Sequence, residues 1–373
     1  MSKLKFYRLD KILSYNAHYN VIFGERSNGK TYSVQEYAIN KYFEDGSELA
    51  IIRRWHEDLR GKRAADYFKN VCKNGVVTRA SKGRYNTIYY NAGRWYFALK
   101  TTNEDGEEIT IAANEPFAYM YALTDMEHDK GTSEPNIRIV LFDEFLTRKL
   151  YLPDEFVTFM NVLSTIIRLR DNVKIFMLGN TVNQYCPYFN EMGLKHIRNM
   201  KQGDIDLYTY GESDLRVAVE FSDSPAKNKP SNVYFAFDNP KLNMIRGGGS
   251  GNVWEMNIYP HCPISIQPKH IRFIFFIIFD RQTLQCEIIS ADRLRFIYIH
   301  RKTTELKNPD KDLIFCLDYD PRPNWRRKIN KPILEVEKKI YRFFAEDKIF
   351  YQDNEVGEIV RNYLKSCGEG VLR

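Results

Sequence analysis

Gly24-Glu25-Arg26-Ser27-Asn28-Gly29-Lys30-Thr31 is the stretch whose reading decides the fold. It matches the pattern G-x-x-x-x-G-K-[ST] in full, and its flanks give the match its context. The short apolar run Asn20-Val21-Ile22-Phe23 leads straight into Gly24 as a strand. After Lys30, Tyr32, Val34, Tyr37, Ala38 and Tyr42 recur at helical spacing, and Gly46 closes the helix. A strand, a glycine loop, a helix and a second buried strand at Leu49–Ile52 open an α/β domain with a parallel sheet. In such a loop Gly24 and Gly29 let backbone N–H groups of residues 24–31 turn toward phosphate oxygens, and the helix N-terminus adds positive potential. Lys30 reaches the β- and γ-phosphates, and the Thr31 hydroxyl binds Mg²⁺.

A site of this kind needs an acid at the end of a neighbouring buried strand. Ile139-Val140-Leu141-Phe142-Asp143-Glu144 supplies two: Asp143 for the metal and Glu144 as general base for the attacking water. The guanine reader Asn-Lys-x-Asp of simple GTPases has its nearest approach in Asn228-Lys229-Pro230-Ser231, which lacks the aspartate. ATP is therefore the expected nucleotide, in the additional-strand, catalytic-glutamate class. Asn180 follows a further strand at 173–178, placed either to sense the γ-phosphate or simply to form a turn. Arg168 and Arg170 end a helical pattern at 153–167. They can serve a neighbouring subunit's γ-phosphate, or complement the helix dipole.

Length and composition frame these motifs. The chain has 373 residues, 43% of them hydrophobic, enough for two to three domains with sizeable cores. A net charge of +7 fits either a basic soluble protein or one with a polyanion partner. The six cysteines contain no C-x-x-C pair, which argues against zinc ribbons and disulfide frameworks and fits a reducing, cytoplasmic setting. The cluster His261, Cys262, His270 matches no zinc spacing. No apolar run approaches the roughly 20 residues needed to span a bilayer, so no membrane partner is expected.

The organisation reads as an ATPase domain over 1–200, a linker region over 201–235 able to carry a small fold, and a second α/β domain over 236–373. A β-hairpin is expected at 84–100, around Asn91-Ala92-Gly93. Residues 124–135 read as a polar loop and Gly247–Gly251 as a flexible one. The C-terminal part reads as strands near 271–279, 284–289, 294–299 and 313–317, then helices near 333–345 and 355–366.

Beyond these motifs the sequence resembles the DNA-packaging (encapsidation) ATPases of phi-29-like phages. The likeness rests on Gly24–Thr31, Leu13-Ser14-Tyr15, Arg53-Arg54 and Phe142-Asp143-Glu144-Phe145. It extends to Arg168-x-Arg170, Gly179-Asn180, Pro187-Tyr188-Phe189 and Asp353-Asn354-x-Val356. The resemblance implies a homomeric ring, taken to be a pentamer, at the portal vertex of an empty procapsid in the host cytoplasm. The ring would translocate double-stranded DNA at the expense of ATP, and a packaging RNA could take part. It implies Arg168 as a trans-acting finger and Lys130 as a pore lysine touching DNA, where the residues alone give a solvated loop. It also implies a C-terminal domain resembling an RNase H-like nuclease that has lost its metal acids. Asp280, Asp318 and Asp320 keep a nuclease in play as the alternative. The basic stretch Pro321–Arg342 reads as a nucleic-acid or procapsid surface, or as a solvated helix face.

Overall fold

The computed structural model describes residues 6–26, 28–125, 134–147, 151–152, 154–181, 186–223, 259–262, 264–291 and 294–368. Of the residues singled out above, Ser27, Lys130, Asn228–Ser231 and Gly247–Gly251 lie outside the described residues. The chain divides into two compact units. The first comprises Met1–Arg148, Asp154–Asn183 and His196–Glu255, and the second Lys149–Pro153, Gln184–Lys195 and Met256–Arg373.

The first unit begins with a short helix α1 (Asp10–Leu13), then β1 (Tyr19–Gly24), α2 (Lys30–Asp45) and β2 (Glu48–Arg53). Three short helices follow, α3 (Gly61–Ala65), α4 (Lys69–Lys73) and α5 (Val76–Ala80). Next come β3 (Thr87–Asn91), β4 (Arg94–Thr102), β5 (Glu108–Ala112), β6 (Ala118–Ala122) and β7 (Ile137–Asp143). The unit continues with α6 (Glu155–Ile167), β8 (Lys174–Asn180), β9 (Ile205–Thr209) and β10 (Arg216–Phe221). The strands form one sheet in the order β3-β4-β6-β2-β7-β8-β1-β10-β9, with β5 paired to β4. Strands β6, β2, β7, β8, β1 and β10 run parallel. Parallel strands are covered on both faces, so they read as unbroken apolar runs. Val21, Ile22, Phe23, Ile51, Ile52, Val140, Leu141 and Phe142 are all fully buried.

Helix α2 lays Val34, Ala38 and Ile39 against this sheet, beside Leu49, Ile51 and Leu141. Truncating a buried isoleucine such as Ile39 to alanine costs about 2–5 kcal/mol. The expected hairpin is β3–β4, and β4 joins the main sheet antiparallel to β6. Trp95 anchors it: the ring is fully buried and its Nε1–H donates to the Ala64 carbonyl at 2.9 Å.

Within 201–235, read from sequence as a linker region, β9 and β10 extend the main sheet next to β1. The polar stretches on either side, Tyr210–Asp214 and Ser222–Pro225, hide this strand in the sequence. Its interior Glu220 also breaks the apolar run, and that carboxylate is buried because Tyr7 Oη donates to it at 2.5 Å.

The second unit contains α7 (Pro187–Glu191), β11 (Ile271–Phe279), β12 (Gln282–Ala291), β13 (Leu294–Arg301), β14 (Ile314–Cys316) and β15 (Trp325–Arg326). It closes with α8 (Glu335–Ala345), β16 (Ile349–Tyr351) and α9 (Asn354–Ser366). Its sheet order is β15-β14-β11-β12-β13-β16. Strands β11, β12 and β13 are antiparallel, and β14, β15 and β16 add parallel pairs. An antiparallel meander is thus continued by parallel strands into a mixed sheet.

A candidate nucleotide site at the strand ends

Adjacent parallel strands bring their C-terminal ends together. Gly24 at the end of β1 pairs with Asn180 at the end of β8, and Asp143 at the end of β7 pairs with Leu178. The phosphate loop, the acid pair and Asn180 therefore meet at one edge of the sheet, where α/β folds place their ligands.

The loop is built on close backbone approach. A Cβ on Gly24 would come 2.1 Å from Ser222 Oγ and 3.1 Å from the Ser222 carbonyl oxygen, so any side chain there would force Ser222 to move. Gly29 adopts φ 96°, a left-handed conformation that starts α2 without a side-chain cap. Asn28 is buried and ties the loop down, donating through Nδ2 to Ser222 Oγ at 2.9 Å. Glu25 accepts from Gln202 Nε2 at 2.9 Å, while Arg26 is exposed.

Lys30 is buried, with 6% exposure. Its ammonium donates to the Glu25 carbonyl at 2.7 Å, Asn28 Oδ1 at 3.2 Å, the Gly24 carbonyl at 3.3 Å and Asn180 Oδ1 at 3.4 Å. All four acceptors are neutral. Burial pulls its pKa down from 10.5 to about 8, against the opposing pull of the Asp143 and Glu25 charges. A buried ammonium among neutral dipoles at a helix N-terminus fits a polyanion such as a nucleotide's phosphates.

Thr31 Oγ1 donates to Asp143 Oδ1 at 3.2 Å. A hydroxyl beside a carboxylate is a hard oxygen pair of the kind Mg²⁺ prefers. The other oxygen of Asp143 accepts from Tyr67 Oη at 2.9 Å and lies 3.3 Å from Arg53 Nη1. Burial first, then the charge on Asp143, hold the Tyr67 phenol far above its ordinary range, so it stays a donor.

Glu144 has φ 63°, which turns its carboxylate away from the strand line; the side chain is 60% exposed and pairs with Arg53 Nη2 at 2.9 Å. Burial opposes the charge on Arg53, but Asp143 and Glu144 outweigh it and raise its pKa above the usual value. Arg54 works beneath this layer. It makes a two-point pair with Glu155, at 2.8 Å for both contacts, and donates to the carbonyls of Glu144 and Phe145 at 3.2 and 2.7 Å. The paired arginines thus fix the backbone that carries the acids.

Arg168 and Arg170 have different fates. Arg170 donates to the carbonyls of Ile167, Glu134, Pro135 and Ile166, capping α6. Arg168 is exposed, held at φ 53° and ψ −121°, next to Leu169 with 98% exposure. Such backbone angles are strained for a residue with a side chain. Arg168 lies near the start of β8, and the seven residues Lys174–Asn180 put roughly 20 Å between that end and Asn180. Its backbone thus lies at the opposite end of the strands from its own phosphate loop.

Sequence reasoning missed three participants. Tyr67 sits 76 positions from Asp143, with no local signal. Arg53 was visible only as a paired arginine. Phe6 is 61% exposed, and its Cβ is 3.2 Å from where a Cβ on Gly29 would stand. The chain beside it is fastened to the loop, with Tyr7 N donating to the Asn28 carbonyl at 2.9 Å and Ser33 Oγ to the Tyr7 carbonyl at 2.5 Å.

Elsewhere the candidate metal residues are engaged separately. Asp280 accepts from Asn190 Nδ2 at 2.8 Å, and Asp320 is paired with Arg322 at 2.8 Å. His261 contacts Asn354, and Cys262 Sγ donates to the Ile264 carbonyl. Among the described residues, no three His, Cys, Asp or Glu side chains gather as a metal centre, and no helix is long and apolar enough to cross a membrane.

The chain is similar to known proteins. The family model for the Podovirus DNA encapsidation protein (Gp16) matches residues 1–229. The DNA packaging protein of Bacillus phage PZA is 24% identical over 290 residues, covering 76% of this chain and 76% of that protein. The DNA packaging protein of Bacillus phage phi29 is 27% identical over 192 residues, 51% of this chain and 50% of that protein, so the match spans about half of that relative. Among solved structures, the bacteriophage Phi-29 viral genome packaging motor assembly aligns with a TM-score of 0.60 at 19% identity, over 97% of this chain and 99% of that one, which speaks for the fold. With the family match running through the phosphate loop, the acid pair, Arg168 and Asn180, this chain belongs to the podovirus DNA encapsidation protein (Gp16) family.

Proposed function

We propose that this chain is an ATP-hydrolysing translocase that drives double-stranded DNA into an empty procapsid, acting as a homomeric ring at the portal vertex in the host cytoplasm. The observation that carries the reading is the buried Lys30 ammonium. It is held by four neutral acceptors at the N-terminus of α2, next to the Thr31–Asp143 oxygen pair. Lys30 would release Asn180 and the loop carbonyls to bind the β- and γ-phosphates of ATP. Thr31 and Asp143 would hold Mg²⁺, which supplies charge neutralisation at the transferring phosphoryl group. The ring of Phe6 would lie against the adenine.

Glu144 would accept the proton of the attacking water, which requires it to leave Arg53. Because Arg168 is a sheet length from its own loop, its guanidinium would serve the neighbouring subunit's γ-phosphate. Asn180, which shares Lys30 in the free protein, would register the arrival of the γ-phosphate. A pentamer, and a packaging RNA at the portal, follow from the resemblance alone.

The test is a packaging reaction with purified procapsids, read as DNA protected from nuclease. The wild type should protect full-length DNA with ATP and none with ADP. Glu144→Gln should protect none. Protection without hydrolysable nucleotide would overturn the reading. Plasmid cutting that needs a divalent metal and is lost in Asp280→Asn or Asp318→Asn would move it toward the nuclease alternative.

A further inference from the structure

Two stretches of the chain, 60–84 and 321–342, carry dense positive charge. Residues 60–84 carry eight basic side chains against the one acid Asp66, a balance of +7 that equals the net charge of the whole chain. The remaining residues are neutral overall. This segment forms α3, α4 and α5, which pack on α2 and the β3–β4 hairpin through Ala64, Phe68, Val71, Val76 and Val77. All eight basic side chains are exposed. Arg60, Lys62, Lys73 and Lys82 have no ion-pair partner among the described residues, and Lys69 pairs only with Asp66 at 3.0 Å.

The other basic stretch, 321–342, carries eight basic side chains against the acids Glu335 and Glu337. Arg322 is paired with Asp310 and Asp320 and stacked on Trp325, with its guanidinium 4.3 Å from the ring centre. Arg326 pairs with Glu337 at 2.6 Å, Arg327 donates to the Leu317 carbonyl and Lys338 pairs with Glu335. Arg322, Arg326, Arg327 and Lys338 are thus tied to the second unit, while Lys328, Lys331, Lys339 and Arg342 have no ion-pair partner among the described residues; what sets 60–84 apart is its link to the nucleotide site.

The 60–84 segment is also wired to the nucleotide site. Tyr67, between α3 and α4, donates to Asp143, while its own carbonyl accepts from Gln35 of α2 at 2.9 Å. We propose that the exposed basic face of α3–α5 is the surface that grips the phosphate backbone of double-stranded DNA, and that Tyr67 transmits its load to Asp143. The inference rests on the translocase reading above. A surface of eight exposed cations, four of them without an ion-pair partner among the described residues, binds phosphates without regard to sequence.

The experiment measures DNA affinity against salt for the full chain and two fourfold variants. One changes Arg60, Lys62, Lys73 and Lys82 to alanine, the other Lys328, Lys331, Lys338 and Lys339. Thermal unfolding checks that both remain folded. The first variant should lose about one unit of slope in log K against log salt for each phosphate contact removed, up to roughly 3 to 4. The second should keep the wild-type slope. Acetylation of Lys62, Lys73 and Lys82 in the wild type should be slowed by bound DNA, an arm that needs no variant. Tyr67→Phe should bind DNA normally yet lose most of the DNA stimulation of ATP turnover.

An unchanged slope in the first variant, with acetylation unaffected by DNA, overturns the inference and leaves the translocase reading standing. Loss of double-stranded RNA binding with DNA binding intact assigns the surface to an RNA and also overturns it. No DNA binding by assembled wild-type protein, with or without nucleotide, overturns the inference and the translocase reading together.

Discussion

Nucleotide binding should take up a proton through Lys30. In the free protein burial holds this lysine at about 8 rather than 10.5, and its contacts there are four neutral acceptors. The sign follows from the direction of the shift. Below pH 8 the folded protein carries a buried charge that the unfolded chain would solvate, so this group lowers stability there. The loss is relieved as pH rises from about 8 to 10.5. Phosphates supply the missing counter-charge, so a bound nucleotide should return Lys30 toward its ordinary value. If the recovery is complete, affinity should fall about eightfold between pH 7.5 and 9.0, about 1.2 kcal/mol. At pH 8 about half a proton should be taken up per nucleotide bound. Titration calorimetry with Mg·ADP in buffers of different ionisation enthalpy measures both quantities without hydrolysis. Lys30→Arg, whose guanidinium stays charged throughout, is the control and should show a flat profile. A wild-type affinity that is flat over this range, with no proton uptake, would refute the assignment of Lys30 as a buried, counter-ion-starved phosphate ligand.

Other outcomes follow from the same geometry. Phe6→Ala should weaken ATP binding about 10- to 100-fold, as expected for a lost base stack. Tripolyphosphate, which has no base, should bind the variant as well as the wild type; equal losses for both ligands would show that Phe6 only shapes the loop. Mixtures of Arg168→Ala and Glu144→Gln subunits, each inactive alone, should recover part of the ATPase activity of assembled rings. No recovery at any ratio would count against a trans role for Arg168. Arg54→Ala should destabilise the first unit by about 3–5 kcal/mol because it removes a two-point ion pair from the fully buried Glu155 carboxylate. Pairing Arg54→Met with Glu155→Met should restore much of this in denaturant melts, whereas an equally unstable double variant would contradict the buried-pair account.

The first-unit site was legible because its signals are local. A strand, glycine loop and helix lie within 27 residues, Tyr19–Asp45, and Asp143-Glu144 ends an unbroken apolar strand. Parallel pairing then brings these ends together with Asn180, as the sequence pattern required. The participants that escaped are those whose placement is set by tertiary packing. Tyr67 reaches Asp143 from the turn between α3 and α4, in a segment without periodicity of its own because α3, α4 and α5 are each five residues long. Strand β10 escaped because turn residues surround it and Glu220 interrupts it, a buried carboxylate that the Tyr7 hydroxyl satisfies with a hydrogen bond. Arg168 and Arg170 were equivalent in sequence. What separates them is that the guanidinium of Arg170 closes onto carbonyls of its own helix end, while that of Arg168 is left exposed. The basic cluster at 60–84 was present in the sequence throughout. Its significance emerged only when Tyr67, inside it, proved to donate to Asp143.

Steady-state ATP hydrolysis by the assembled protein, with and without long double-stranded DNA, tests the central claim most directly. The account predicts strong stimulation by DNA of any sequence, abolished by Glu144→Gln. Turnover that is indifferent to DNA in a protein shown to be a ring would contradict a translocase and leave an ATP-dependent assembly switch in its place.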